Sequence, residues 1–113
     1  GILHFRNQPF QWDVSGDFLG TLRTSTNANL DLATGNGNGF GSFVLAGTWD
    51  ATGDTGTFEG SFSGTIDGGL FSGKFVGHGT GDFAGMKLMG TFAETGPGTG
   101  VFILEGIILD PHG

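Results

Sequence analysis

The side chains with the widest chemical range in this sequence are three histidines, His4, His78 and His112. An imidazole can act as a general acid, a general base or a metal ligand near neutral pH. The three lie far apart along the chain and show no His-x3-His spacing, so the sequence predicts no zinc site. His78 is the single candidate for a catalytic residue, because it leads into a glycine-rich turn. The alternative is an exposed histidine that caps this turn.

A second group of candidate ligands surrounds the turn at residues 53–56, where Asp50, Asp54 and Glu59 lie close in sequence. Calcium sites need six to eight oxygen ligands and closely spaced Asp and Asn residues, and this spacing does not provide them. We therefore expect an ordinary hairpin turn and no cofactor. The chain has no Cys, which excludes disulfides, thiolate metal sites and a cysteine nucleophile.

The charge balance narrows the range of partners. Eleven acidic and four basic residues give a net charge of −7. Nucleic-acid binding requires a basic surface, so we expect no nucleic-acid partner. No apolar run approaches the roughly 20 residues of a membrane helix, so we expect no membrane insertion. The location stays open, although the lack of Cys and the many Gly, Thr and Asn residues are compatible with an extracellular or cell-surface protein.

The elements that must position any site are strands. Glycine, with 25 of the 113 residues, disfavours helices, and the 12 phenylalanines can form a core. Apolar and polar residues alternate with a period of two over residues 10–22, 58–66, 71–77 and 86–92. Glycine-rich turns separate these runs. The pattern predicts a single domain, residues 1–113, folded as an all-β, antiparallel up-and-down barrel of seven or eight strands with a glycine-rich, phenylalanine-filled interior.

The predicted inner face carries no ionisable side chain, because the charged residues fall on the opposite face or at turns. General acid–base catalysis needs a titratable group near the substrate, so we do not expect it inside the barrel. Inward glycines could leave an apolar pocket, or glycine and phenylalanine could fill the interior. The predicted pocket residues are Trp12, Phe18, Trp49, Phe62, Phe75 and Phe92. Phe62 and Phe75 are expected to be almost completely buried.

The last predicted strand is apolar on both faces. Its outward row is Val101, Ile103, Ile107 and Leu109, interrupted by Glu105. A long apolar row on an outer surface is typical of a partner interface, so we expect a homo-oligomer with these residues at the contact. We also expect Glu105 to meet an arginine or a backbone N–H there. The alternative is that residues 2–5 of the same chain cover the row.

One segment carries a resemblance to a known family. It runs His78-Gly79-Thr80-Gly81-Asp82-Phe83-Ala84-Gly85. This turn resembles the Gly-Thr-Gly-x-Phe-x-Gly turn of allene-oxide-cyclase-like barrels, and dirigent proteins carry a similar one. The resemblance extends over residues 64–106. It implies an eight-stranded barrel, assembly as a trimer, an apolar cavity for a small hydrophobic molecule, and cyclase or isomerase activity exerted through the shape of that cavity. Gly81 or Gly85 should then have a positive φ.

Two functions lead among those that these observations allow, ahead of a Ca²⁺- or sugar-binding surface module. The first is an oligomeric barrel that binds a small hydrophobic molecule. The second is a structural subunit that assembles into an extracellular surface layer or filament and has a filled core. The interior volume distinguishes them, because small-molecule pockets begin near about 300 Å³.

Overall fold

The computed structural model describes residues 1–96 and 99–109, and in this part of the chain it contains seven strands in one antiparallel sheet. Each strand pairs with the next in sequence, so the sheet order is also the chain order. The strands are β1 (Ile2–Val14), β2 (Phe18–Asp31), β3 (Asn36–Trp49), β4 (Thr55–Asp67), β5 (Leu70–Gly81), β6 (Lys87–Glu94) and β7 (Phe102–Leu109). Within the described ranges, no helix is long and apolar enough to cross a membrane.

The prediction of an all-β antiparallel fold is confirmed, whereas the prediction of a closed barrel is wrong. The sheet keeps two free edges, β1 and β7. The strands alternate in direction, so in a meander of seven strands the first and the last run parallel to each other. Closing the sheet would therefore require a parallel pair beside six antiparallel ones, with a different hydrogen-bond pattern. The sheet therefore stays open between β1 and β7, and we call this gap the seam.

Glycines on the inner face allow the sheet to coil. The antiparallel register places them beside one another across neighbouring strands. One row joins Gly20, Gly47, Gly56 and Gly81, and another joins Gly39, Gly64 and Gly73. Glycine permits the close approach and sharp curvature that a narrow, coiled sheet requires. The resulting molecule is long and thin, with principal extents of 48 × 21 × 20 Å.

The most deeply buried side chains lie near one end of this coil. Phe58 and Phe83 are 1 % and 2 % exposed, and their rings stack with centroids 4.8 Å apart. Phe18, Phe43, Leu45 and Leu88 complete the buried cluster. The sheet therefore encloses an aromatic core at this end.

Phe62 and Phe75 point inward, as predicted, but the expectation of almost complete burial is wrong, because both are only half-buried. They face each other across β4 and β5. Their row continues to Gln8 on β1 and to Gly106 on β7, both of which are exposed. Neither end of this row, Gln8 or Gly106, carries a large apolar side chain.

The other end of the coil is held by polar contacts. Glu94 accepts hydrogen bonds from the backbone N–H of Phe71 at 3.2 Å and of Gly100 at 3.0 Å, and thereby ties β5 to the loop before β7. Trp12 of β1 donates its Nε1–H to the Gly100 carbonyl at 2.9 Å, and its ring contacts Phe102 with centroids 5.7 Å apart. Side chains thus bridge the seam at this point without strand pairing.

Candidate functional site

An apolar crevice of about 230 Å³ opens at the end of the molecule where the buried core lies. Its lining residues are Trp49, Thr52, Asp54, Phe83, Met86 and Ile108. They come from the β3–β4 turn, the β5–β6 turn and the inner face of β7. The volume is below the roughly 300 Å³ at which small-molecule pockets begin.

The β3–β4 turn forms one wall of the crevice, and local hydrogen bonds hold it. The backbone N–H of Gly53 donates to the Trp49 carbonyl at 2.8 Å, and the N–H of Trp49 donates to the Asp54 carbonyl at 2.8 Å. The Thr52 hydroxyl donates to Oδ2 of Asp54 at 2.9 Å. Asp54 is the one titratable group among the lining residues, and this hydroxyl fixes the position of its carboxylate.

The opposite wall is the glycine-rich β5–β6 turn. Gly81 and Gly85 have φ of 64° and 86°, which confirms the predicted positive φ. Asp82 accepts a hydrogen bond from the Thr55 N–H at 2.9 Å and so joins this turn to the start of β4. The turn also places Phe83 against Phe58 and Phe18. The residues of this motif therefore shape the apolar end of the core.

The six predicted pocket residues do not come together in this crevice. Trp49 lines it, whereas Phe18 is buried in the core beneath. Phe62 and Phe92 belong to an edge-to-face cluster with Phe71 and Phe102. Two further predicted residues lie in other places: Phe75 packs against Phe43, and Trp12 lies at the seam.

Phe83 and Met86 line the crevice but were absent from the predicted pocket. Phe83 was identified only as part of the turn motif. The sequence does contain a feature that indicates burial of these two residues, because both are large and apolar in a turn that is otherwise glycine-rich and polar. A large apolar residue in such a turn must pack against something, but the sequence does not say what.

His78 lies on the outer face of β5, exposed, and opposite Glu59 of β4 and Lys87 of β6. The crevice lining does not include it. His4 is also exposed, and its Nδ1 is 2.6 Å from Oδ1 of Asn29. His112, the third candidate histidine, falls outside the described residues. Within residues 1–96 and 99–109, no three His, Asp or Glu side chains are placed to share a metal ion.

The outer face of β7 carries a second candidate site. Ile103 and Ile107 are 57 % and 58 % exposed. The apolar surface continues across the sheet, because Ile107 pairs with Met89 of β6 and Met89 pairs with Val76 of β5. We call these residues, with Leu109, the outer apolar surface: Val76, Met89, Ile103, Ile107 and Leu109 are all exposed. Val101, just before β7, is 58 % exposed.

The chain's own N-terminal segment does not cover this surface. Residues 2–5 pair with β2 at the opposite edge of the sheet, so the alternative of intramolecular cover is wrong. Glu105 is exposed and lies opposite Thr91. The two arginines make hydrogen bonds in other places: Arg6 bonds to the Ala28 carbonyl, and Arg23 to the Gln11 side chain. The outer apolar surface is thus open to solvent in the isolated chain.

Comparison of the chain with protein-family models, with curated proteins and with solved structures gave no match.

Proposed function

We propose that this protein is a self-assembling structural subunit whose outer apolar surface binds a second copy of the chain. The observation that carries the proposal is the exposure of Ile103 and Ile107 on a free edge strand, beside Met89 and Val76. Monomeric soluble proteins rarely expose apolar patches of this extent unless the patch has a binding role. The aromatic core, which fills one end of the coil, supports a structural role as well.

The apolar side chains of this contact can offset a substantial part of the cost of association. Complete burial of a Val, Leu, Ile or Met side chain contributes roughly 1.5–3 kcal/mol. These residues start partly buried, so each gains less, and the gain summed over both copies is comparable with the lower part of the estimated 4–15 kcal/mol cost of association. In a monomer these side chains would stay exposed to water and would gain none of this free energy.

The double substitution Ile103→Asp and Ile107→Asp tests the proposal. Both side chains are exposed, so the fold should survive, whereas charges in the apolar contact should abolish association because they would be buried without a partner. We expect the unmodified protein to sediment as an oligomer and the double variant to sediment at the chain mass of 11.6 kDa. Circular dichroism should show the same β-sheet signal for both.

The matched control is Asn38→Asp with Ser42→Asp. These residues are also exposed and four positions apart on the outer face, but they lie on β3, two strands away from Val76 and the rest of the outer apolar surface. They add the same charge, so this variant should remain an oligomer. An unmodified protein that sediments as a monomer at high concentration would overturn the proposal.

A second candidate function is binding of a small hydrophobic molecule, and the apolar crevice favours it. Four of its six lining residues, Trp49, Phe83, Met86 and Ile108, are apolar or aromatic. Its volume suits a ligand of two fused rings or smaller. Any shape-directed cyclisation or isomerisation, as the family resemblance implies, would take place here, with Asp54 as the adjacent carboxylate.

Titration with naphthalene tests this second candidate. We expect naphthalene to shift the NMR signals of the Met86 and Ile108 methyl groups. Thr52→Trp, at the crevice wall, should weaken binding about tenfold or more by filling the space. Ala51→Trp, next to it but not in the lining, is the control and should leave binding unchanged. Equal binding by both variants, or no shift at either methyl group, would rule out the crevice as the site.

A further inference from the structure

The two free edges of the sheet differ in how well they can accept another strand. The β1 edge is interrupted by a bulge between Phe5 and Gln8, where Asn7 has a φ of 51°. Pro9 follows and has no backbone N–H to donate. Bulges and prolines are devices that prevent edge strands from pairing with other chains.

The β7 edge has none of these devices. Phe102–Leu109 is unbroken, contains no Pro, Lys or Arg, and pairs with β6 without a register shift. Its inward side chain Leu104 is 37 % exposed, so the edge is open toward the seam. A regular, apolar edge strand of this kind is a template for pairing with another strand.

We infer that a second copy pairs through its own β7, antiparallel to the first, across a two-fold axis at Gly106. This inference rests on the proposed self-assembly and specifies its geometry. The two sheets join along their β7 strands, so Ile103, Ile107 and Leu109 of one copy pack sideways against the outer row of β7 in the other copy. Met89 and Val76, on β6 and β5, lie outside this contact. A two-fold contact of this kind uses the same residues on both copies.

The register follows from three constraints, two from the pairing of side chains and one from contacts at the seam. Residues that face each other across an antiparallel pair must point to the same side of the sheet, so the axis lies on a residue. An axis at Glu105 would place two carboxylates directly opposite each other, which is destabilising. An axis at Gly106 places Ile103 opposite Leu109 and Glu105 opposite Ile107 of the other copy.

The third constraint is that contacts at the seam within each chain leave only residues 103–109 of β7 free to pair. Trp12 contacts Phe102 and donates to the Gly100 carbonyl, so the start of β7 is shielded by the chain's own β1. The free part begins at Ile103, and the register centred on Gly106 runs from Ile103 to Leu109.

The same contrast between edges limits the size of the assembly. Once the two β7 edges are paired, each copy presents only its β1 edge, which the bulge and Pro9 protect. The assembly should therefore end as a dimer at twice the 11.6 kDa chain mass, in contrast to the trimer or filament considered from the sequence.

Cysteine crosslinking tests the register, because the chain has no natural Cys. In the inferred dimer, Ile103 lies opposite Leu109 of the other copy at about 4.5–5.5 Å between Cα atoms, within disulfide range. Ile103 lies roughly 20 Å from its own counterpart, which is six residues along the strand. An oxidised mixture of Ile103→Cys and Leu109→Cys should give at least tenfold more crosslinked dimer than either variant alone.

Any other outcome of the crosslinking and sedimentation experiments contradicts the inferred pairing. Self-crosslinking of Ile103→Cys alone would indicate a different strand alignment. A sedimenting dimer without crosslinks in the mixture would overturn the β7 register but leave self-assembly intact. Particles larger than a dimer would overturn the two-fold closure, and a monomeric unmodified protein would overturn the proposed function as well.

Discussion

Replacing Phe58 with alanine is expected to lower the free energy of unfolding by about 3–5 kcal/mol. Phe58 is 1 % exposed, stacks on Phe83 at 4.8 Å and contacts Phe18 at 6.4 Å between centroids. Alanine would leave a cavity enclosed by two aromatic rings that the sheet holds in place, so the space cannot collapse. The loss is a large fraction of the roughly 5–15 kcal/mol that stabilises a typical domain.

Chemical denaturation followed by circular dichroism measures this loss, and Phe40→Ala is the matched control. Phe40 lies on β3 but points outward and is 47 % exposed, so its truncation should change the stability by no more than about 0.5 kcal/mol. Similar losses in the two variants would show that Phe58 does not form the core of the folded protein in solution.

The alternation of residues along β4 shows how far the sequence could predict this core. The period of two correctly placed Phe58, Phe62 and Ile66 on one face. It did not indicate depth, because depth depends on what lies across the coil. Phe58 is covered by the stacked ring of Phe83 from a distant turn, whereas Phe62 makes edge-to-face contacts with Phe71 and Phe92 and is only half-buried. A one-dimensional pattern contains neither contact.

The first strand illustrates a second limit. Alternation was visible from Phe10, but β1 begins at Ile2. The residues Arg6, Asn7, Gln8 and Pro9 interrupt the pattern because this part is an exposed edge strand with a bulge. The same exposure explains why closure was overestimated. Hydrophobic patterning reports which residues face inward, but not whether the two edges meet.

The two candidate sites also differ in how far the sequence could predict them. The apolar row on β7 could be predicted because it lies on one strand and depends only on alternation. The crevice depends on two turns that are remote in sequence, β3–β4 and β5–β6, and only the tertiary structure brings Met86 and Phe83 to Trp49. The residues of a turn depend mainly on the backbone conformation that the turn requires. They do not alternate with a regular period, so the sequence does not indicate which of their side chains are buried.

Replacing Gly60 with valine is expected to prevent stable folding, or to cost at least about 3 kcal/mol, the upper end of ordinary overpacking. A Cβ at this position would overlap the Val76 carbonyl oxygen and lie 2.5 Å from the Gly77 Cα. Both are backbone atoms of the neighbouring strand, so no rotamer change can relieve the contact. The strands would have to separate, and the coil around the core would open.

The control is Ser61→Val, which places the same β-branched side chain one residue further along β4, on the exposed outer face. Valine favours strands, so this variant should stay within about 0.5 kcal/mol of the unmodified protein. Denaturation curves of both variants would separate a strand-propensity effect from a steric one. If Gly60→Val folds with a loss below about 1 kcal/mol, the close approach of Gly60 to Gly77 does not determine the coiling of the sheet. The high glycine content would then require another physical explanation.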